Sequence, residues 1–548
     1  MRVGASNNSE RFNGKAEPYH TVRRQSRKRR KTRMKHVVII GGGITGLAAA
    51  HRLLERSREL RDQVQVTLLE ASSRVGGIVQ TRERDGFLLE SGPDSFISEK
   101  PQALELARRL GLEPRLIETN ENQRRSFIVR KGRLLPVPEG FHLLAPGHFW
   151  PFITSGIFSW PGKARIAMDL LLPRQHVNGS LNANTDDSGD ASVDANVDES
   201  LAHFVRRRLG REALERMAQP MIGGIYTADP ETLSLRATMP RFLEMEREHR
   251  SLIRALRKQA SSRTVAAGSA GRDSNAIVRE GEGTSGARYS LFLSFDRGMQ
   301  VFTDRLAGRI SDDKHSPATT IRINTRVDSL ELDRGIPANM TKWKVRTNSN
   351  ETLSADGVCL ALPGPVSARL LRDVDAQLSS ELEGISYASS ATINLAYQRA
   401  DITHQLDGFG FVVPFIEKRS LIACTFSSIK FAGRAPEGCA LLRAFVGGAL
   451  QPDMLKLSDA DLIALVRDDL RDLLGIERPP LFSELTKWEQ SMPQYHVGHL
   501  ARVGRIQERV ALLPNLTLAG NAYLGLGIPD CINSGETAAD QLIEMSAK

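Results

Sequence analysis

Cysteine is scarce in this chain: Cys359, Cys424, Cys439 and Cys531 are the only four in 548 residues, and they lie 65, 15 and 92 positions apart. No pair has metal-knuckle or redox-motif spacing, so a stapled module is excluded and a reducing compartment is the natural reading. No run of 18 apolar residues occurs, so a transmembrane helix is not expected. The N-terminus lacks the apolar centre of a secretory signal, which argues against export. Charge of one sign is also missing from the body of the chain. The formal charge is +10, but residues 1–34 hold eleven Lys or Arg against two Glu, and the other 514 residues carry only +1. A nucleic-acid partner is therefore not expected for the body. With 41% hydrophobic and 25% charged residues the composition is globular, and the length suits about two to four domains.

The basic tail, 1–34, has no hydrophobic periodicity and is expected to be disordered. It ends at Met34, just before the strand-like run His36-Val37-Val38-Ile39-Ile40. An upstream start wrongly chosen, a targeting extension and a nucleic-acid arm compete for it. The first is favoured, because Arg27-Lys28-Arg29-Arg30-Lys31 lacks interleaved aromatics. Residues 174–200 and 259–288 are polar stretches without apolar spacing and read as flexible surface insertions. Asn178-Gly179-Ser180 in the first matches a glycosylation acceptor only by coincidence in a chain without an export signal.

Strand patterns fall at 36–41, 64–70, 126–130, 322–331, 342–347, 356–362, 391–398, 408–414, 420–426, 440–447 and 515–519. Helical patterns fall at 44–59, 101–110, 198–208, 300–310, 459–474 and 530–545. The opening is βαβ, which predicts a parallel sheet with crossover helices at that end.

Gly41-Gly42-Gly43-Ile44-Thr45-Gly46 gives the G-x-G-x-x-G spacing directly after an apolar strand and at the start of a helix. Gly41 permits the tight turn, Gly43 lets a pyrophosphate approach the backbone, and Gly46 lets helix and strand pack closely. The helix N-terminus supplies free N–H groups and positive dipole charge to the phosphates. Glu70 ends the second strand, 24 residues past Gly46, where a ribose hydroxyl pair would be bound. FAD is preferred over NAD because Arg74-Val75-Gly76-Gly77 and Gly92-Pro93-Asp94 follow, more glycine turns than an adenine dinucleotide needs. Arg74 could reach a phosphate. Near the C-terminus, Gly520-Asn521-Ala522-Tyr523 and Gly525-Leu526-Gly527-Ile528-Pro529-Asp530 open a last helix whose first turn suits the negative edge of a reduced flavin.

These motifs, with Gly92-Pro93-Asp94-Ser95-Phe96, Gly223-Gly224-Ile225-Tyr226, Asp229-Pro230, Gly408-Phe409-Gly410, Phe445-Val446-Gly447-Gly448, Trp488 with Pro493-Gln494-Tyr495, and Gly527-Ile528-Pro529-Asp530-Cys531, resemble the oxygen-dependent protoporphyrinogen oxidases of the flavin amine oxidase superfamily. The resemblance runs from about Lys35 to the end. It implies α/β and α+β architecture: a Rossmann-like FAD domain of the p-hydroxybenzoate hydroxylase type, a mixed-sheet substrate domain and a helical membrane-associating subdomain. The implied boundaries are 35–100 with 291–365 and 505–548 for the FAD domain, 101–258 for the helical subdomain with its insertion at 174–200, 259–290 for the second insertion, and 366–504 for the substrate domain. It extends the cofactor set to Ala71, Gly77, Ile78, Ser95 and Val327. The implied reaction is oxidation of protoporphyrinogen IX to protoporphyrin IX in haem biosynthesis, with O2 as acceptor and H2O2 released. Coproporphyrinogen III, an amine or polyene substrate, and a catalytically silent membrane flavoprotein are the alternatives. A cytoplasmic chain, peripheral on the inner face of the membrane, follows from the same likeness, with homodimerisation and hand-over of product to a chelatase left open.

No hydrolytic triad, acid pair or metal cluster is visible, and a flavin reaction needs none. Substrate carboxylates call for a cation, and Arg125 aligns within one residue of the family's propionate-binding arginine, with Arg124 as fallback. Gly224, in a Gly-Gly read as breaking a strand, would admit the ring edge, and Phe409 would stack on it. His496 and His499 are three apart but have no third ligand nearby, so a metal is not expected. Cys531 reads as a small buried thiol, so FAD is expected to be non-covalent. Phe141, Phe149, Trp150, Phe152, Phe158 and Trp160 put six of the 31 aromatics in twenty positions, as membrane contact or as a core cluster.

Overall fold

The computed structural model describes residues 35–60, 64–138, 141–142, 145–146, 149–174, 198–258, 292–312, 319–333 and 342–547. The basic tail, most of 174–200 and all of 259–290 lie outside them, as do the glycosylation triplet and the proposed start at Met34.

The apolar run Lys35–Ile40 forms the centre of a five-stranded parallel sheet, in the order Thr320–Arg322, Val64–Leu69, Lys35–Ile40, Gly357–Leu360, Leu516–Leu518. Helix Ile44–Leu60 follows the first strand, and its buried residues Leu47, Ala48, Leu53 and Leu54 pack with Ile532, Ala539 and Leu542 of the final helix, Ile528–Ala547. Gly535 allows this: a Cβ there would collide with the Thr45 carbonyl. Helix Pro101–Arg109 contributes Ala103, Leu106 and Ala107 to the same core.

A seven-stranded mixed sheet stands beside this layer. Its order is Phe482–Pro493, Tyr387–Gln398, Cys439–Gly447, Leu421–Phe426, Gly410–Val412, Phe127–Arg130, Arg133–Pro136. All neighbours are antiparallel except Gly410–Val412 with Phe127–Arg130. Helix Asp459–Leu474 covers it with Leu462, Val466 and Leu470. The third part is helical, built from segments between Phe149 and Leu170 and between Leu201 and Leu256 around Phe152, Phe204, Ile222, Phe242 and Leu252. Inside it, the fully buried Asp169 carboxylate pairs with Arg208 and accepts from Ser251 Oγ at 2.7 Å and Ile253 N at 3.1 Å.

Four sequence expectations need correction. The pattern at 322–331 is two strands, Thr320–Arg322 and Val327–Asp333, split by the turn at Asn324. Gly223-Gly224 does not break a strand but lies in helix Gln219–Tyr226, because the apolar Pro220, Met221 and Ile222 bury themselves in the helical core. Residues 101–136, expected in the helical subdomain, divide between the nucleotide core and the edge of the mixed sheet, where Phe127 and Val129 bury their side chains. The strand Phe482–Pro493 carried no clean alternation and was not expected; its half-buried pattern comes from an edge position.

Candidate functional site

At the end of the first strand, Gly41 N donates to Leu69 O at 2.8 Å and the residue turns through φ +109°. A Cβ at Gly41 would collide with Ala361 O, and one at Gly46 with Gly41 O, so both glycines are fixed by backbone packing. Gly43 is different: a Cβ there would meet nothing within 4 Å. This open hollow at the start of helix Ile44–Leu60, beside Ile44 and Thr45, is the cradle a pyrophosphate needs. Gly76 N donates to Gly42 O at 2.8 Å and closes its far side, with Gly77 facing Gly43.

Glu70 accepts from Gly42 N at 2.7 Å and from Ser72 N and Oγ at 2.8 Å each, which holds its carboxylate at the mouth of the cradle beside Ala71. Thr325 N donates to Glu70 O at 2.8 Å, bringing the buried Val327 to the same end. Arg74 is tied to carbonyls of its own loop, Val75 and Val79 through Nη1 and Gly77 through Nη2 at 2.6 Å, and so it shapes the loop that presents the exposed Ile78.

The second glycine turn is held from beneath by side chains of the mixed sheet. Arg443 donates to Gly92 O, Trp488 Nε1 and Thr392 Oγ1 donate to Ser91 O at 2.9 and 2.8 Å, and Asn394 Nδ2 donates to Glu90 O at 3.1 Å. Behind Pro93, Asp94 pairs with Lys430 at 2.9 Å and accepts from Ser95 Oγ at 2.7 Å; Lys430 and Arg443 hold its carboxyl well below the usual range against the cost of burial. Glu90 accepts from Met299 N and Thr81 Oγ1 at 2.8 Å each, yet burial pushes its carboxyl up to about 7. Glu90, Lys430 and Arg443 were missed in the sequence because each is a lone charge in its own element, a hairpin strand, a short helix and a central strand, and only the tertiary fold brings them together.

The C-terminal loop is gripped by the stretch after Pro493. Tyr495 Oη donates to Asn521 O at 2.7 Å and accepts from Gly525 N at 2.8 Å, while His499 Nε2 donates to Tyr523 O at 2.8 Å. The two rings stack at 4.0 Å, which occupies the histidine. Gly520 N donates to Ser534 Oγ at 3.0 Å, and Asp530 caps Gly527 N at 3.2 Å and pairs with Lys100 at 2.6 Å. Leu526 packs against the helical core and Ile528 against the nucleotide core, so this loop joins the two.

Of the three substrate residues, Phe409 and Arg125 come together: Phe409 N donates to Arg125 O at 2.7 Å. Phe409 is buried, whereas Arg125 is 62% exposed and pairs with Asp407 at 3.1 Å. Arg124 is buried and donates to Glu121 at 3.1 Å, so it points away from solvent. Gly224 is exposed and faces Val412, three positions along from Phe409, about 10 Å in a strand. Beside it, a shallow hollow opens between helix Gln219–Tyr226 and the sheet, lined by Gly223, Thr227, Val413, Phe415 and Ile422.

A mixed-sheet layer on a dinucleotide cradle, closed by a glycine loop from the last helix, defines a flavin-dependent oxidoreductase. The family model for flavin containing amine oxidoreductase matches residues 44–543, and the chain belongs to that family. It is similar to coproporphyrinogen III oxidase of Bacillus subtilis (strain 168), 35% identical over 93% of this chain and 98% of that one. It is also similar to protoporphyrinogen oxidase 2, chloroplastic/mitochondrial, of Arabidopsis thaliana, 27% identical over 93% and 94%. A solved structure from Exiguobacterium sp. 255-15 superposes with a TM-score of 0.75 at 29% identity, covering 94% of this chain and 100% of that one.

Proposed function

We propose that the chain is a porphyrinogen oxidase that binds FAD non-covalently and converts protoporphyrinogen IX to protoporphyrin IX with O2. The observation that carries this reading is the open cradle at Gly43, set in a family whose relatives span nearly the whole chain and carry porphyrinogen names. When bound, the flavin supplies a two-electron acceptor that O2 restores, so three rounds remove six hydrogens and release three H2O2. The residues already described divide the work. The Gly41–Gly46 turn and Glu70 hold the dinucleotide. The clamped loops at Gly92–Asp94 and Gly520–Ile528 fix the ring. Phe409 and Gly224 flank the macrocycle, and Arg125 holds a carboxylate. Burial pushes the Cys531 thiol up to about 12, which removes the thiolate a covalent flavin link would need and supports release of FAD on acid precipitation. Flavin that stays with the precipitated protein would contradict this.

A second reading, coproporphyrinogen III to coproporphyrin III, is favoured by the higher identity to the bacterial relative. Turnover of both porphyrinogens, read by porphyrin fluorescence, decides between them.

The same reading places the helical part on a membrane surface. Among the described residues no helix is long and apolar enough to cross one. The aromatic run divides: Phe152 and Phe158 are core, while Trp150 and Trp160 are 74% and 72% exposed, and Leu171 is exposed nearby in sequence. Indoles at a surface suit a bilayer interface. Sedimentation with lipid vesicles should fall when both tryptophans are changed to Ser; unchanged sedimentation would remove the membrane from the account.

A further inference from the structure

The C-terminal loop leaves the parallel sheet beside the cradle. Ile40, Leu360 and Leu518 end three neighbouring strands, and Ala361 N donates to Ile40 O and Ala519 N to Leu360 O at 2.9 Å each. Residues 520–527 therefore stand at the same carboxyl edge as the Gly41–Gly46 turn, the edge at which open α/β sheets bind ligands. Helix Ile528–Ala547 then folds back on that turn, so closely that a Cβ at Gly535 would collide with Thr45 O. Gly520, Gly525 and Gly527 give the loop little stiffness of its own, so its shape must come from what grips it.

Two buried side chains of one segment supply that grip. Tyr495 and His499 are 2% and 4% exposed, and between them they bond Asn521 O at 2.7 Å and Tyr523 O and Gly525 N at 2.8 Å each. The Tyr495 hydroxyl both donates and accepts, so one oxygen spans the loop from Asn521 to Gly525. Stacking at 4.0 Å locks the two rings together. The segment is itself fixed: Ser234 N donates to Tyr495 O at 2.7 Å, Val497 N to Thr232 O at 2.9 Å, and Gln494 N to Ser386 O at 2.8 Å. A post tied to the helical part and to the mixed sheet thus sets the position of a loop on the nucleotide layer. Leu524, between the gripped residues, is 65% exposed, so solvent is at hand for the loop backbone. The buried pair imposes one geometry where stability alone would leave several.

We infer that Tyr495 and His499 are positioning residues, which hold the first turn of helix Ile528–Ala547 at the cofactor site and thereby raise the electron affinity of bound FAD. Reduction gathers negative charge on a flavin, and the positive end of a helix favours the reduced form over the oxidised one. That attraction falls with distance, so it depends on how firmly the loop is held. The dinucleotide half is held separately by the Gly41–Gly46 turn and Glu70, so affinity for oxidised FAD depends little on the clamp. This rests on the FAD reading above.

The test is the two-electron midpoint potential of the FAD-loaded protein, read anaerobically against a reference dye, together with the Kd of oxidised FAD. Tyr495→Phe keeps the stacked ring and removes only the hydroxyl. It should weaken reduced FAD about tenfold relative to oxidised FAD, a fall of about 30 mV, while the Kd of oxidised FAD changes less than about threefold. His499→Phe keeps the stack, loses the bond to Tyr523 O and should move the potential the same way; it decides the matter if Tyr495→Phe does not fold. Asp169→Asn, which disturbs a buried network that touches neither the loop nor the clamp, should lower the melting temperature and leave the potential where it is. Clamp variants that bind FAD at the wild-type potential, or that lose oxidised and reduced FAD equally, overturn the positioning role alone. Wild type that binds no FAD overturns the flavin reading and the positioning role with it.

Discussion

Replacing Gly43 by Val should separate the cofactor cradle from the fold that carries it. A Cβ at Gly43 would meet no atom within 4 Å, and the residue is not in the left-handed region, so the backbone accepts a side chain there. Loss of chain flexibility and the weak helix preference of Val oppose each other, and the FAD-free protein should change by less than about 1 kcal/mol. The added side chain fills the hollow where the pyrophosphate would meet the helix N-terminus. Two charge-assisted hydrogen bonds lost there at about 1.5 kcal/mol each give about 3 kcal/mol, or more than about a hundredfold in Kd. Gly46→Ala is the contrasting variant: its Cβ would collide with Gly41 O, whose own amide is held by Leu69, so the nucleotide core itself must open. Thermal unfolding with and without FAD reads both effects. At a hundredfold excess over Kd, FAD stabilises wild type by about 2.7 kcal/mol and Gly43→Val hardly at all. The reasoning fails if Gly43→Val binds FAD like wild type, or if its FAD-free form is as damaged as Gly46→Ala.

Glu90 keeps its proton up to about pH 7 when folded, whereas its ordinary value is 4.5. Between those values the folded state binds more protons, so this group makes stability fall as pH rises from about 4.5 to 7; Glu90→Gln should flatten that slope by at most about 3 kcal/mol, seen in denaturant unfolding at pH 5 and 8. Lys430→Met removes the nearer cation of the buried Asp94 and leaves it Arg443 at 4.0 Å, so it should cost up to about 3 kcal/mol in the same assay, with Asp94→Asn recovering much of it. Arg125→Ala should leave stability within about 1 kcal/mol, since its pair with Asp407 is exposed, and raise KM for the porphyrinogen more than it lowers kcat; Asp407→Asn, which frees the guanidinium, should lower KM. An unchanged KM in Arg125→Ala would return that residue to the solvated surface.

The nucleotide end was legible because its chemistry is local. Gly41, Gly43, Gly46 and Glu70 lie on one βαβ unit, and their spacing alone places them around one cradle. Gly224 shows where local reading stops: two glycines suggest a broken strand, but the buried Pro220, Met221 and Ile222 beside them draw the segment into a helix. Glu90 and Arg443 are 353 positions apart, and no periodicity links an acid on a hairpin to a cation on a central strand. Tyr495 was visible as part of a family-like stretch, while its grip on Asn521 and Gly525 needed the fold.

The most direct test is aerobic oxidation of a colourless porphyrinogen by the FAD-loaded protein, with red porphyrin fluorescence and H2O2 followed together. The account predicts emission rising well above autoxidation, three H2O2 for each porphyrin formed, and loss of both signals in Gly43→Val. Emission no faster than autoxidation with the wild-type protein fully loaded with FAD would contradict it.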